Sequence, residues 1–158
     1  MDTLTETPRR VAIICSKGGL DECYPVLIMA NAARMTGITC AVFFTFWGLD
    51  VITEDRVDHL HVNFVGNPSS PMPYMLAGLP GMEALGTSFM KKRMTELDIP
   101  GVREMVGMLK ASGCELYACE LAMKMFDRKK EDLLPDVEAV ITATDFFEKT
   151  HGYDIVFV

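Results

Sequence analysis

The segment GCELYACELAMKMF, residues 113–126, carries two thiols five residues apart, Cys114 and Cys119. Such a pair can be a redox couple, part of a metal site, or one working nucleophile beside a packing residue. If 114–118 is extended, the two Cα atoms stand ~16 Å apart at ~3.3 Å per residue. A disulfide needs Cα atoms within about 7 Å, so this pair does not close without unfolding the strand. Cys114 therefore reads as packing. Cys119 falls where a helix-like run begins, and there unpaired backbone N–H groups and the positive helix end favour a thiolate. The competing reading is a small buried hydrophobe at a strand end. These residues alone leave both open.

A metal centre has little to build on. There is no C-x-x-C or H-E-x-x-H, and His59, His61 and His151 are scattered. A second candidate thiol is Cys15, followed by Ser16, Lys17, Gly18 and Gly19. If its strand neighbours that of residues 115–118, Cys15 or its turn approaches Cys119, and Lys17 is placed to stabilise a thiolate or an oxyanionic sulfur species. The alternative is that Cys15 is core and Lys17 a solvated loop residue. The SKGG run lacks the full spacing of a phosphate-binding loop.

The elements that must position these groups are legible. Val11–Cys15 reads as a buried strand entering the Gly18–Gly19 turn, and Asp21 as the cap of a helix running to about Met35, stopped by Gly37. Residues 38–46 form a continuous apolar strand of the kind covered on both faces. Residues 67–82 are dense in Pro, Gly and Met and read as irregular. Five of the 12 methionines lie between Met72 and Met94, which suits an adaptable apolar contact surface. A helix is expected over 82–97, with Leu85, Phe89, Met90 and Met94 on one side and Lys91, Lys92 and Glu96 on the other. Another follows at 101–112. Then come a strand at 114–118, a helix opened by CELAMKMF, a strand at 138–143, a short helix at 144–150 and a last strand, DIVFV. Alternating strands and helices imply an α/β fold: a three-layer α/β/α sandwich on a mostly parallel sheet of about five strands, flavodoxin-like or Rossmann-like in general form. Residues 1–158 are expected to form one domain, with an insertion at about 67–97. In such sheets, sites gather at the carboxyl ends of the strands. Here those ends offer Cys15 to Gly19, Thr45 to Gly48 with Phe46 and Trp47, Cys119 with Glu120, and Thr142 to Thr144.

Composition narrows the function. The chain has 158 residues, 49% hydrophobic and 23% charged, as expected of a soluble globular protein. A formal net charge of -7 argues against nucleic-acid binding. The polar start MDTLTETPRR lacks a secretory core, and the longest apolar candidate, 26–49, is broken by Asn31, Arg34, Thr36 and Gly37. Five cysteines without tight pairing motifs fit a reducing compartment, with the cytoplasm as the expectation.

Taken together, SKGGLDECYPVLIMANAARMTGITCAVFFTFWGL, PMPYMLAGLPGMEALGTSFMKKRM and LYACELAMKMF resemble the DsrE/DsrF-like sulfur-trafficking proteins, in the branch with a methionine-rich middle insertion. The likeness runs from about Val11 to the end. It implies an α/β/α sandwich assembled as a homo-oligomer, with the sulfur-carrying cysteine at the strand–helix junction, here Cys119; no cofactor is expected. It also implies donor and acceptor proteins that exchange a persulfide or thiosulfonate with that cysteine. Lys17, Gly18 and Gly19 are expected to complete the pocket, Phe46 and Trp47 to wall it, and the amides from Glu120 to Ala122 to face the sulfur. The 67–97 segment is a candidate for peripheral membrane contact. Two other classes remain: a nucleotide- or flavin-binding module, and an assembly or docking protein acting through 67–97.

Overall fold

The computed structural model describes residues 9–63 and 79–158. Most of the stretch expected to be irregular, 67–82, lies outside them. Five parallel strands form one sheet: β1 (Arg10–Cys15), β2 (Thr39–Phe44), β3 (Glu115–Cys119), β4 (Ala139–Ile141) and β5 (Asp154–Phe157), in the spatial order β4-β3-β2-β1-β5. From β1 to β4 the chain steps always to the same side, so right-handed crossovers put the intervening helices on one face. Helix α1 (Leu20–Met35) packs there against α3 (Val102–Ala111). The step from β4 back to β5 reverses direction, so α5 (Ala143–Lys149) lies on the opposite face. This is the expected three-layer sandwich.

The pleat sorts the side chains. Register places Cys15 opposite Phe44 and Phe44 opposite Ala118, so these share the α1 face; Ile14, Phe43, Tyr117 and Phe157 share the α5 face. On the α5 face Phe146 stacks on Phe43, ring centroids 4.6 Å apart, and is itself 1% exposed. Lys149 reaches over the Tyr117 ring. A capping box between Thr142 and Asp145 starts α5 and holds the Asp145 carboxyl below the usual range.

Several expectations need correction. Helix α1 begins at Gly19 as N-cap, while Asp21 lies in its first turn and accepts the Asn63 N–H at 3.1 Å. The second strand stops at Phe44 because Phe46 adopts φ +46° and turns the chain into a 3₁₀ helix, Phe46–Ile52. In α2 (Met82–Glu96) the inward side carries Thr87, Met90 and Met94, whereas Leu85 and Phe89 are 64% and 68% exposed. The Thr87 hydroxyl explains its burial: it accepts the Val62 N–H at 2.9 Å, anchoring α2 to the loop before it.

Because α5 covers its face of the sheet mainly through Phe146, Phe146→Ala should cost about 3–5 kcal/mol, read as a lowered midpoint in thermal unfolding.

Candidate functional site

The short helix α4 (Glu120–Met125) follows β3 directly, with Cys119 both the last residue of β3 and the N-cap of α4. Cys119 pairs in register with Ile141 and continues the row that begins with Tyr117, which sets it on the α5 face. It is buried, 7% exposed. Glu120 turns outward, its carboxylate paired with Lys124 one turn on.

The first two loops meet on the other side of the sheet. The Thr45 N–H donates to the Cys15 carbonyl at 2.9 Å. A Cβ on Gly48 would stand 2.1 Å from that same carbonyl oxygen, and one on Gly18 would stand 2.4 Å from the Trp47 carbonyl oxygen. Glycine is required at both positions because two backbones touch. The result is a cavity of about 730 Å³ in which Lys17, Gly18, Gly19 and Trp47 do come together, faced by His59 and His61. The two histidines are exposed and line this wall.

Cys119 and Glu120 are not among the residues lining that cavity. Strand β2 stands between β1 and β3, so the adjacency that would have brought Cys15 to Cys119 is not made. The two thiols also lie on opposite faces. Cys15 is 1% exposed, burial pushes its thiol up to about 12, and it stays protonated at neutral pH. Cys23 is pushed up to about 12 for the same reason. Lys17 sits 4.0 Å from Glu22 rather than at a sulfur.

A link between the cavity and the Cys119 helix joins Trp47 to Phe126 and adds two residues that sequence reading missed, Asp50 and Arg128. The Trp47 ring packs tilted against Phe126, centroids 4.8 Å apart, and the Arg128 guanidinium pairs with Asp50 and donates to the Thr53 hydroxyl. These contacts fasten the end of α4 to the 3₁₀ helix after β2. Asp50 and Arg128 are 78 residues apart, so no local pattern marks them. Gly48 was signalled only as a glycine following a strand. Phe46 is 47% exposed and contributes chiefly its left-handed backbone.

Trp47 is the chain's one tryptophan, so its emission reports this junction. Gly48→Ala should destabilise by at least about 2 kcal/mol and shift that emission, because backbone must move. Phe126→Ala should shift the emission with a smaller loss of thermal stability.

Comparison with known proteins now bears on these features. A model of the DsrE/DsrF/DrsH-like family matches residues 7–157. The chain is 32% identical over 155 residues to the sulfur carrier protein DsrE2 of Allochromatium vinosum, covering 93% of this chain and 96% of that one. It is 21% identical over 160 residues to the uncharacterized protein YrkE of Bacillus subtilis, covering 98% and 100%. Among solved structures, the ychN protein from E. coli superposes with a TM-score of 0.57 at 12% identity, covering 96% of this chain and 100% of that one. The protein of unknown function MTH1491 from Methanobacterium thermoautotrophicum gives 0.53 at 15%, covering 95% and 99%. At these identities the two structures speak for the fold alone. The family model and the 32% identical relative together span nearly the whole chain, and the protein belongs to the DsrE/DsrF/DrsH-like family.

Proposed function

We propose that this protein is a sulfur carrier that holds sulfane sulfur on Cys119 and passes it to a partner protein. The observation that carries the reading is the position of Cys119, which ends β3 and caps α4 at the carboxyl edge of the sheet. The name of the Allochromatium vinosum relative supports the same role. In the loading step the Cys119 thiolate attacks the outer sulfur of a donor persulfide, forming Cys119–S–SH and releasing the donor thiolate. An acceptor thiolate then attacks that outer sulfur and frees Cys119. The first-turn amides from Glu120 to Ala122 lack intrahelical acceptors and offer hydrogen bonds to the sulfur anion. The cytoplasm suits five unpaired thiols.

No cofactor is needed for this exchange. A homo-oligomer fits the apolar side chains left open on the α5 face: Ile155 at 44%, Phe147 at 58% and Phe157 at 69% exposure. Leu85 and Phe89, exposed one turn apart on α2, support a docking role for the 67–97 segment, against a partner or a membrane surface. Among the described residues no helix is long and apolar enough to cross a membrane.

Intact-protein mass spectrometry after exposure to polysulfide, or to thiosulfate or tetrathionate, should show a reductant-sensitive sulfur adduct on the wild type and none on Cys119→Ala. Cys114→Ala should load normally. Loading that survives in Cys119→Ala would move the site elsewhere. Phe157→Glu should reduce the mass found by light scattering while leaving Cys119 loading by small donors intact; an unchanged mass would take the assembly off this face.

A further inference from the structure

Two buried thiols stand side by side at the amino-terminal end of the sheet, away from Cys119. Register pairs Ala41 with Glu115, so one residue earlier Cys40 and Cys114 face each other across β2 and the start of β3. Both continue the row of Val42 and Leu116 on the α1 face. Neighbouring strands lie about 4.8 Å apart, within the ~4.4–6.8 Å between Cα atoms that a disulfide spans. Cys40 is 0% and Cys114 2% exposed, and neither is bonded to another cysteine.

The surroundings favour chemistry at this pair. The neighbouring Cys114 thiol holds Cys40 below the usual thiol range against the opposing effect of burial, with the Arg34 guanidinium adding to the lowering. Cys114 is correspondingly raised. Arg34 roofs the pair from α1: its Nε donates to the Ser112 carbonyl at 2.9 Å and Nη1 to the Ile38 carbonyl at 3.0 Å. Gly113, at φ +81°, turns the chain beneath this guanidinium.

We propose that Cys40 and Cys114 form a second thiol centre, a dithiol that inorganic polysulfide converts to an intramolecular disulfide. The Cys40 thiolate attacks one sulfur of a polysulfide S–S bond, forming a mixed disulfide and expelling the other half of the chain. Cys114 then attacks the Cys40 sulfur and expels the second half. The two cysteines lose two electrons to the polysulfide bond, and their two protons leave on the released sulfide fragments. Disulfides in reducing compartments are usually of this transient, redox-responsive kind.

The test uses folded Cys119→Ala, so that sulfur loading of Cys119 and this reaction are read separately. The protein is exposed to sodium polysulfide, unfolded with its free thiols alkylated, and digested without reduction for peptide mapping. The expected product is one linked peptide joining Cys40 to Cys114, abolished by a reductant and absent from Cys40→Ser in the same background. The mapping needs no second variant, so a misfolded Cys40→Ser does not blunt it. Recovery of both cysteines alkylated, after an exposure that oxidises them in the unfolded chain, would overturn the proposal. So would linkage through Cys15 or Cys23 instead, or a persulfide left on Cys40 without closure.

Discussion

The architecture hinges on a place where two backbones come closer than any side chain permits. The loop after β1 and the loop after β2 press together at Gly18 and Gly48, each against the other's carbonyl. In a parallel sheet neighbouring strands end at the same edge, and the segments leaving them compete for the space above it. Removing the Cβ at two positions resolves that competition. It also fixes where Trp47 stands, because the chain has already turned through the left-handed residue Phe46. From Trp47 the order passes to Phe126 by ring contact, and from Asp50 to Arg128 by charge. The helix that starts at Cys119 is thus fastened at its far end by residues belonging to another crossover.

That arrangement suits a short helix. Six residues have little stability in water, and α4 has no side-chain cap at Cys119. Its order is supplied from outside, through an aromatic pair and a half-buried ion pair with 15% and 21% side-chain exposure. Removing either partner of such a pair leaves the other charge uncompensated, a larger loss than at a solvated surface pair such as Glu120 and Lys124.

Much of the frame was legible because its signals are local. Continuous apolar runs at Val11–Cys15 and from Thr39 marked strands covered on both sides, and Gly37 and Gly113 marked helix ends through the left-handed conformations they adopt. The place of Cys119 between strand and helix was legible from the junction of a strand-like and a helix-like run. What escaped was the order of the strands, which no local pattern encodes. With β2 between β1 and β3, the supposed neighbourhood of Cys15 and Cys119 dissolved, and Lys17, Gly18, Gly19 and Trp47 line a cavity that Cys119 and Phe46 do not. The face of α2 was misread for a related reason. Hydropathy favoured Leu85 and Phe89 as inward, but the hydroxyl of Thr87 found a backbone partner and turned the helix the other way.

The pleat has partitioned the sulfur of this chain. Cys15, Cys40 and Cys114 project to the α1 face and Cys23 lies in α1 itself, while Cys119 alone belongs to the row on the opposite face. Sulfane sulfur wanders by exchange between thiols that can touch, and a sheet one backbone thick, closely packed with apolar side chains, is a dielectric wall to such wandering. On the proposed reading, cargo held on Cys119 would have no thiol on its own face of the sheet among the described residues to leak to, and the choice of recipient would fall to whichever molecule docks there.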